Sequence, residues 1–151
     1  MSYNSYGGGY NAYREIGVKT ASQGKLVVML YQGACSHLED AIAMIQPDGK
    51  ILADNIESFG NHVQKVQDII TELEVSLDME KGGEIAKNLM SLYIYFNKEI
   101  LTAGIKHDKE KLEFILSLLE QLKESWETAS NTQANNAVKM PVNGSSISIN
   151  G

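Results

Sequence analysis

The chain has 151 residues, 43% of them hydrophobic and 21% charged, which suits one globular domain with a core of its own and not a disordered chain. Its formal net charge is −6, so no basic excess awaits a phosphate backbone, and no nucleic-acid partner is expected. The single cysteine, Cys35, leaves no internal disulfide and no cysteine-rich metal site, and a reduced cytoplasm is the expected compartment.

Residues 1–20 differ in kind from the rest. MSYNSYGGGYNAYREIG has neither the basic start nor the apolar run of a signal peptide. Tyr3, Tyr6, Tyr10 and Tyr13 stand among Gly, Ser and Asn, which predicts a mobile N-terminal arm. Such an arm is either a solvated tail or a docking segment whose tyrosine rings bury while their hydroxyls stay wet.

Four helical segments follow. The first is expected over 23–46, with Ser22 as N-cap and a core stripe of Val27, Leu30, Tyr31, Ala34, Leu38, Ala41 and Ile45; Cys35 falls off that stripe. Pro47 and the Asp48-Gly49 turn pair end it. The second, over 50–77, spaces Leu52, Ile56, Phe59, Val63, Val66, Ile70, Leu73 and Leu77 in alternating steps of four and three, the seam of an antiparallel bundle. Gly82-Gly83 then reverses the chain into a third helix over 84–103, with Glu84 at its positive end. Gly104 is the expected left-handed terminator, with Ile105 folding back on the last turn. Asp108 caps a fourth helix over 109–130, whose seam is Leu112, Ile115, Leu119, Leu122, Trp126 and Ala129. Residues 131–151 are polar and aperiodic, a disordered tail by composition. The expected fold is all-α: an antiparallel up-down four-helix bundle over 21–130, between arm and tail. No segment approaches the ~20 apolar residues of a membrane span.

Little in these helices reads as catalytic. A bundle-core di-iron site needs Glu-x-x-His pairs, but the residues three before His37, His62 and His107 are Ala34, Phe59 and Gly104. No catalytic residue, metal or cofactor is expected. HVQKV, His62 to Val66, has the His and Lys spacing of a phosphotransfer module, yet Val66 replaces the small residue that follows and His62 borders the core stripe. The third helix is more informative. Ile85, Leu89, Leu92, Tyr93, Phe96, Ile100 and Ala103 share one face, while Met90, Ile94 and Leu101 fall on the opposite side. No helix is enclosed in a bundle of four, so a second apolar stripe calls for a cover. Val28 and Met29 on the first helix and Phe114 on the fourth extend the candidate binding face, with methionine suited to an adaptable groove. Helix-in-groove capture of an amphipathic segment is the matching physical mode.

Four blocks carry a family resemblance, in order and over roughly residues 11–130. They are NAY (11–13) ahead of TAS (20–22), KLVVMLYQGA (25–34), QDIITELEVSLDMEKGGEIAKNLMSLYIYFN (67–97) and WETA (126–129). On these blocks the chain resembles the flagellin-specific export chaperones of bacterial flagella. The resemblance implies a cytoplasmic, non-enzymatic bundle that binds the C-terminal segment of flagellin, prevents premature polymerisation and docks on the cytosolic domain of the flagellar export gate. It also implies that the arm takes part in docking, through Tyr13 with Tyr10 and Ile16 beside it. Two positions depart from the family pattern: Gln23 stands where proline is frequent, and Gln32 where an acidic residue is frequent. Two other readings stay open on the residues alone. One is a histidine phosphotransfer module using His62; the other is a helical oligomerisation module, a homodimer paired through the narrow seam of the second helix.

Overall fold

The computed structural model describes the backbone of residues 22–142 and the side chains of residues 23–131. The expected arm over 1–20, with Tyr10, Tyr13 and Ile16, the capping side chain of Ser22 and the tail over 143–151 lie outside the described residues.

Four helices are present among the described residues: α1 (Ser22–Ala43), α2 (Ile56–Ser76), α3 (Gly83–Lys106) and α4 (Lys109–Val142), with a 3-10 turn at Ala53–Asn55. The described chain forms two compact units, one of residues 30–122 and one of the residues up to Met29 together with those from Lys123 onward. Within residues 30–122, segments of all four helices make an antiparallel up-down bundle. Gly33 of α1 faces Ile69 of α2 while His37 meets His62, so the two helices run in opposite senses. Val63 and Gln67 of α2 likewise meet Gly104 and Asn97 of α3 in reverse order.

The predicted stripes form the core. Tyr31, Ala34, Leu38 and Ala41 of α1, Val66, Ile70 and Leu73 of α2, Tyr93, Phe96 and Ile100 of α3, and Leu112, Ile115 and Leu119 of α4 are buried to the last few per cent of their surface. Each of the larger ones contributes about 1.5–3 kcal/mol of gross burial free energy, most of it offset by chain ordering. Cys35 departs from expectation and is buried as well, because α1 is covered over a wider arc than its seven-residue stripe marks out. In the other unit, Gly24 near the start of α1 lies against the side chain of Ser130 in α4. That contact buries Ser130 and leaves its neighbour Ala129, the expected seam residue, exposed.

The joints between helices correct several expectations. α1 ends at Ala43 and not at Gln46, tightening through bonds from Met44 and Ile45 to the carbonyls of Ala41 and Ile42. Ile45 then bridges to Ile51 across a loop closed by Gln46 N–H to the Lys50 carbonyl, with Gly49 at φ 82° and the Asp48 carboxylate accepting from Lys50 N–H. The bridge takes up the residues that were to begin the second helix, so Leu52 and Ile56 sit on the surface and the buried seam starts at Phe59.

Between α2 and α3, Asp78 receives the N–H groups of Glu80 and Lys81 on its carboxylate and that of Gly82 on its carbonyl. Gly83 takes φ 54°, and a Cβ on Gly82 would stand 2.5 Å from the Ala86 methyl carbon and 2.7 Å from the Asp78 carbonyl oxygen. The double glycine therefore meets two separate requirements, a left-handed backbone and a close approach.

α3 runs on past Gly104, which stays helical and packs at the close contact with Val63. His107 takes the left-handed position instead, at φ 55°. Its N–H and that of Asp108 bond back to the carbonyls of Gly104 and Ala103, the paired bonds of a Schellman ending. The His107 ring stands edge-on to Phe59 at 5.4 Å between centroids, a contact no glycine could make. Asp108 then caps α4 as expected, accepting from Lys111 N–H at 3.1 Å. α4 continues to Val142, beyond the expected end at Ser130; residues 131–140 contain neither glycine nor proline to stop it.

Candidate functional site: an outer apolar stripe on the third helix

The inner face of α3 is tied to three neighbours. Tyr93 shares a 2.7 Å hydrogen bond with the Tyr31 hydroxyl of α1. The Asn97 amide donates to Thr71 Oγ1 and Glu74 Oε2 of α2, while Gln67 of α2 donates to the Asn97 backbone carbonyl. Glu99 pairs with Lys111 of α4 at 3.0 Å, and that hydrogen bond holds the Lys111 ammonium above its ordinary pKa. With that face fixed, the rotation of the helix is fixed, and so is what it presents outward.

Outward stand Ile94 at 54% exposure, Leu101 at 51% and Ile105 at 74%, with Met90 half-buried one turn before Ile94. Steps of four, seven and four keep them on one side of the helix. Phe114, 51% exposed, belongs to α4, on the far side of the same turn at His107–Asp108. Ile56, also exposed, starts the helix whose Phe59 touches His107, so it lies at the same end of the bundle as Ile105.

Of the residues singled out in the sequence, Ile94 and Leu101 share one stripe, Met90 continues it at partial burial, and Phe114 stands on the adjoining helix of the hairpin. Val28 and Met29 belong to the other unit, where Met29 is exposed and Val28 half-buried. Ile85, expected in the core face, is exposed, and Ala86 is buried in its place. Ile105 is not among the residues the sequence singles out for this face, because Gly104 carries the signal of a helix end while the helix runs on to Lys106. The signal was present, since Ile105 lies four residues beyond Leu101.

Chemically the stripe offers apolar contact on a rigid support, which suits capture of an amphipathic partner and no bond-making reaction. His62 does not stand out in solvent: it is half-buried, with its Nδ1 2.9 Å from Nδ1 of His37. Among the described residues, no helix is long and apolar enough to cross a membrane.

The comparisons agree with one another. The family model for FliS, described as flagellar protein FliS, matches residues 6–133. A flagellar secretion chaperone FliS of Salmonella typhimurium is 35% identical over 127 residues, covering 81% of this chain and 90% of the relative. The protein of the same name from Vibrio cholerae is 34% identical over 124 residues, 80% of this chain and 87% of its own length. That of Bacillus subtilis is 28% identical over 120 residues, 80% and 84% of the two chains.

Proposed function

The chain belongs to the FliS family of flagellar proteins, and from that premise we propose that it is a flagellar secretion chaperone, not an enzyme, that holds the C-terminal segment of flagellin in the cytoplasm. The observation that carries the reading is the stripe of Ile94, Leu101 and Ile105 on α3, apolar, exposed and backed by a hydrogen-bonded inner face. A client segment that folds into a helix on contact places its own apolar residues at spacings of three and four against this stripe. Covering the half to three-quarters of each side chain that is still exposed gains roughly that fraction of the about 1.5–3 kcal/mol of full burial, and ordering the client removes a good part of it. Held in this way, the client is kept from polymerising until it is released at an export gate. The N-terminal arm, through Tyr10, Tyr13 and Ile16, docks the loaded chaperone on the cytosolic domain of that gate; this assignment rests on the family resemblance.

Titration calorimetry with the C-terminal segment of flagellin from the same organism tests the reading. Saturable sub-micromolar binding with a negative heat-capacity change, the mark of apolar burial, supports it. Absence of heat at several temperatures together with absence of co-elution overturns it. Sedimentation of the chain alone examines the homodimer reading, in which a second copy covers the stripe; a tight self-dimer that excludes the flagellin segment would replace the chaperone reading.

A further inference from the structure

Away from the apolar stripe, α1 and α2 bring together three side chains that the sequence keeps far apart. His37 and Asp40 lie one turn apart on α1, and His62 faces them from α2. The two histidine Nδ1 atoms are 2.9 Å apart, with ring centroids separated by 5.2 Å and planes inclined by 40°. One ligand atom from each of the three residues lies within 4.8 Å of the others.

We propose that His37, Asp40 and His62 form a binding site for a borderline divalent transition-metal ion of the Zn²⁺, Ni²⁺ or Cu²⁺ kind, bridging α1 and α2. Two imidazole nitrogens and one carboxylate oxygen are the donor set such ions take, whereas Mg²⁺ and Ca²⁺ require shells built mostly of oxygen. The spacing of the two nitrogens is close to what one ion requires, and rotation of the exposed Asp40 side chain brings its carboxylate, within 4.8 Å of them, to the same ion. Nitrogens bonded at about 2.0 Å to one ion stand about 2.9 Å apart at a right angle and about 3.3 Å apart at the tetrahedral angle. Both histidines are half-buried, which restricts their rotamers, while Asp40 is exposed and leaves an entry path from solvent. Water completes the coordination on that side.

Without an ion, a contact of this length is a hydrogen bond in which one neutral ring donates its Nδ1 proton to the other. On binding, the donor ring carries its proton on Nε2 instead, exchanged through solvent, so that both Nδ1 lone pairs face the cation. Counted from two neutral rings, the exchange releases no net proton. The bound ion is a cross-link between helices, so affinity for the metal appears directly as stability of the folded chain.

The test uses the full chain without an affinity tag, dialysed against EDTA and then titrated with ZnCl₂, NiCl₂ and CuCl₂, with MgCl₂ as control. Expected are one equivalent of at least one transition ion by calorimetry, a Tm that rises and saturates at that equivalent, and no response to Mg²⁺. His37→Ala and His62→Ala each lower the affinity by more than about tenfold, Asp40→Asn lowers it less, and His107→Ala, outside the cluster, leaves it unchanged. In the unaltered protein, the imidazole resonances of His37 and His62 shift together while those of His107 stay in place, a readout that does not depend on any variant folding. Absence of binding overturns the proposal. So does binding that survives both histidine substitutions, or that shifts His107 and spares the pair.

Discussion

The hydroxyls of Tyr31 and Tyr93, 62 positions apart in the chain, meet at 2.7 Å inside the core of residues 30–122. Their rings lie 6.4 Å apart at 52°, so α1 and α3 are joined there by both an aromatic contact and a hydrogen bond. Two large phenols buried in a helical bundle need such polar contacts, since a buried hydroxyl left without one costs about 1–3 kcal/mol. The pair also sets the rotation of α3 that turns Ile94 and Leu101 outward.

Tyr31→Phe and Tyr93→Phe are each expected to destabilise the chain by about 1 kcal/mol or more, and the double variant by less than the sum, because the bond the two hydroxyls share is lost in all three. Urea unfolding of the four proteins measures this. Additive effects would mean that the two hydroxyls are stabilised separately.

The glycines make a sharper contrast. At Gly83 the positive φ makes Gly83→Ala cost about 1–2 kcal/mol, and Gly82→Ala adds a Cβ where the Ala86 methyl and the Asp78 carbonyl already stand. Gly60 lies on the exposed face of α2 with nothing near its missing Cβ, so Gly60→Ala stabilises by about 0.8–1 kcal/mol. Thermal melts of the three single variants should move in opposite directions; a common direction would contradict the backbone argument.

Ile94→Asp, Leu101→Asp and Ile105→Asp each place a charge on the stripe without touching the core. Each is expected to weaken binding of the flagellin segment by about 1.5–3 kcal/mol, roughly ten- to a hundredfold, with far-UV circular dichroism unchanged. Tyr13→Ala should spare that binding and impair docking on the export gate. Normal affinity in all three aspartate variants would remove the stripe from the mechanism, and equal loss of both interactions in Tyr13→Ala would make Tyr13 a support of the fold.

Stability should also respond to acid through His37. Burial is the main cause that lowers its pKa below the ordinary 6.5, aided by His62 and Lys65 on α2 and opposed by Asp40 on its own helix. The unfolded chain therefore binds the proton more readily than the folded one. The contribution of His37 is complete above the unfolded value and is lost as pH falls from about 6.5 through the folded pKa. Denaturation in EDTA from pH 8 to 5 should show a decline that His37→Gln makes shallower. A slope identical in both proteins would assign the acid sensitivity elsewhere.

How much of this was legible in the sequence depends on the range of the interaction behind each feature. Helix number, core stripes, the Asp108 cap and the turn at Gly82-Gly83 follow from spacings of three and four and from side chains reaching their own neighbouring backbone. The double stripe of the third helix belongs to the same class, since the helical period alone puts Ile94 and Leu101 opposite the buried face, and both are exposed. Where structure and sequence differ, two local signals compete. Gly104 carries the signal of a terminator but serves a close approach to Val63, while His107 takes the left-handed position with its ring against Phe59. Leu52 and Ile56 fit the seam period, yet the Ile45–Ile51 bridge leaves Leu52 outside α2, and Ile56, the first residue of that helix, stays on the surface.

What the sequence by itself determined is therefore each helix and the face it must bury. Only the tertiary structure decided which residues of different helices meet: Tyr31 with Tyr93, Asn97 with Thr71 and Glu74, His37 with His62. Periodicity defines a stripe but not the height at which two stripes engage. A helix can slide by a turn against its neighbour and still bury apolar surface, so register is selected by the shapes and hydrogen bonds of side chains distant in the chain.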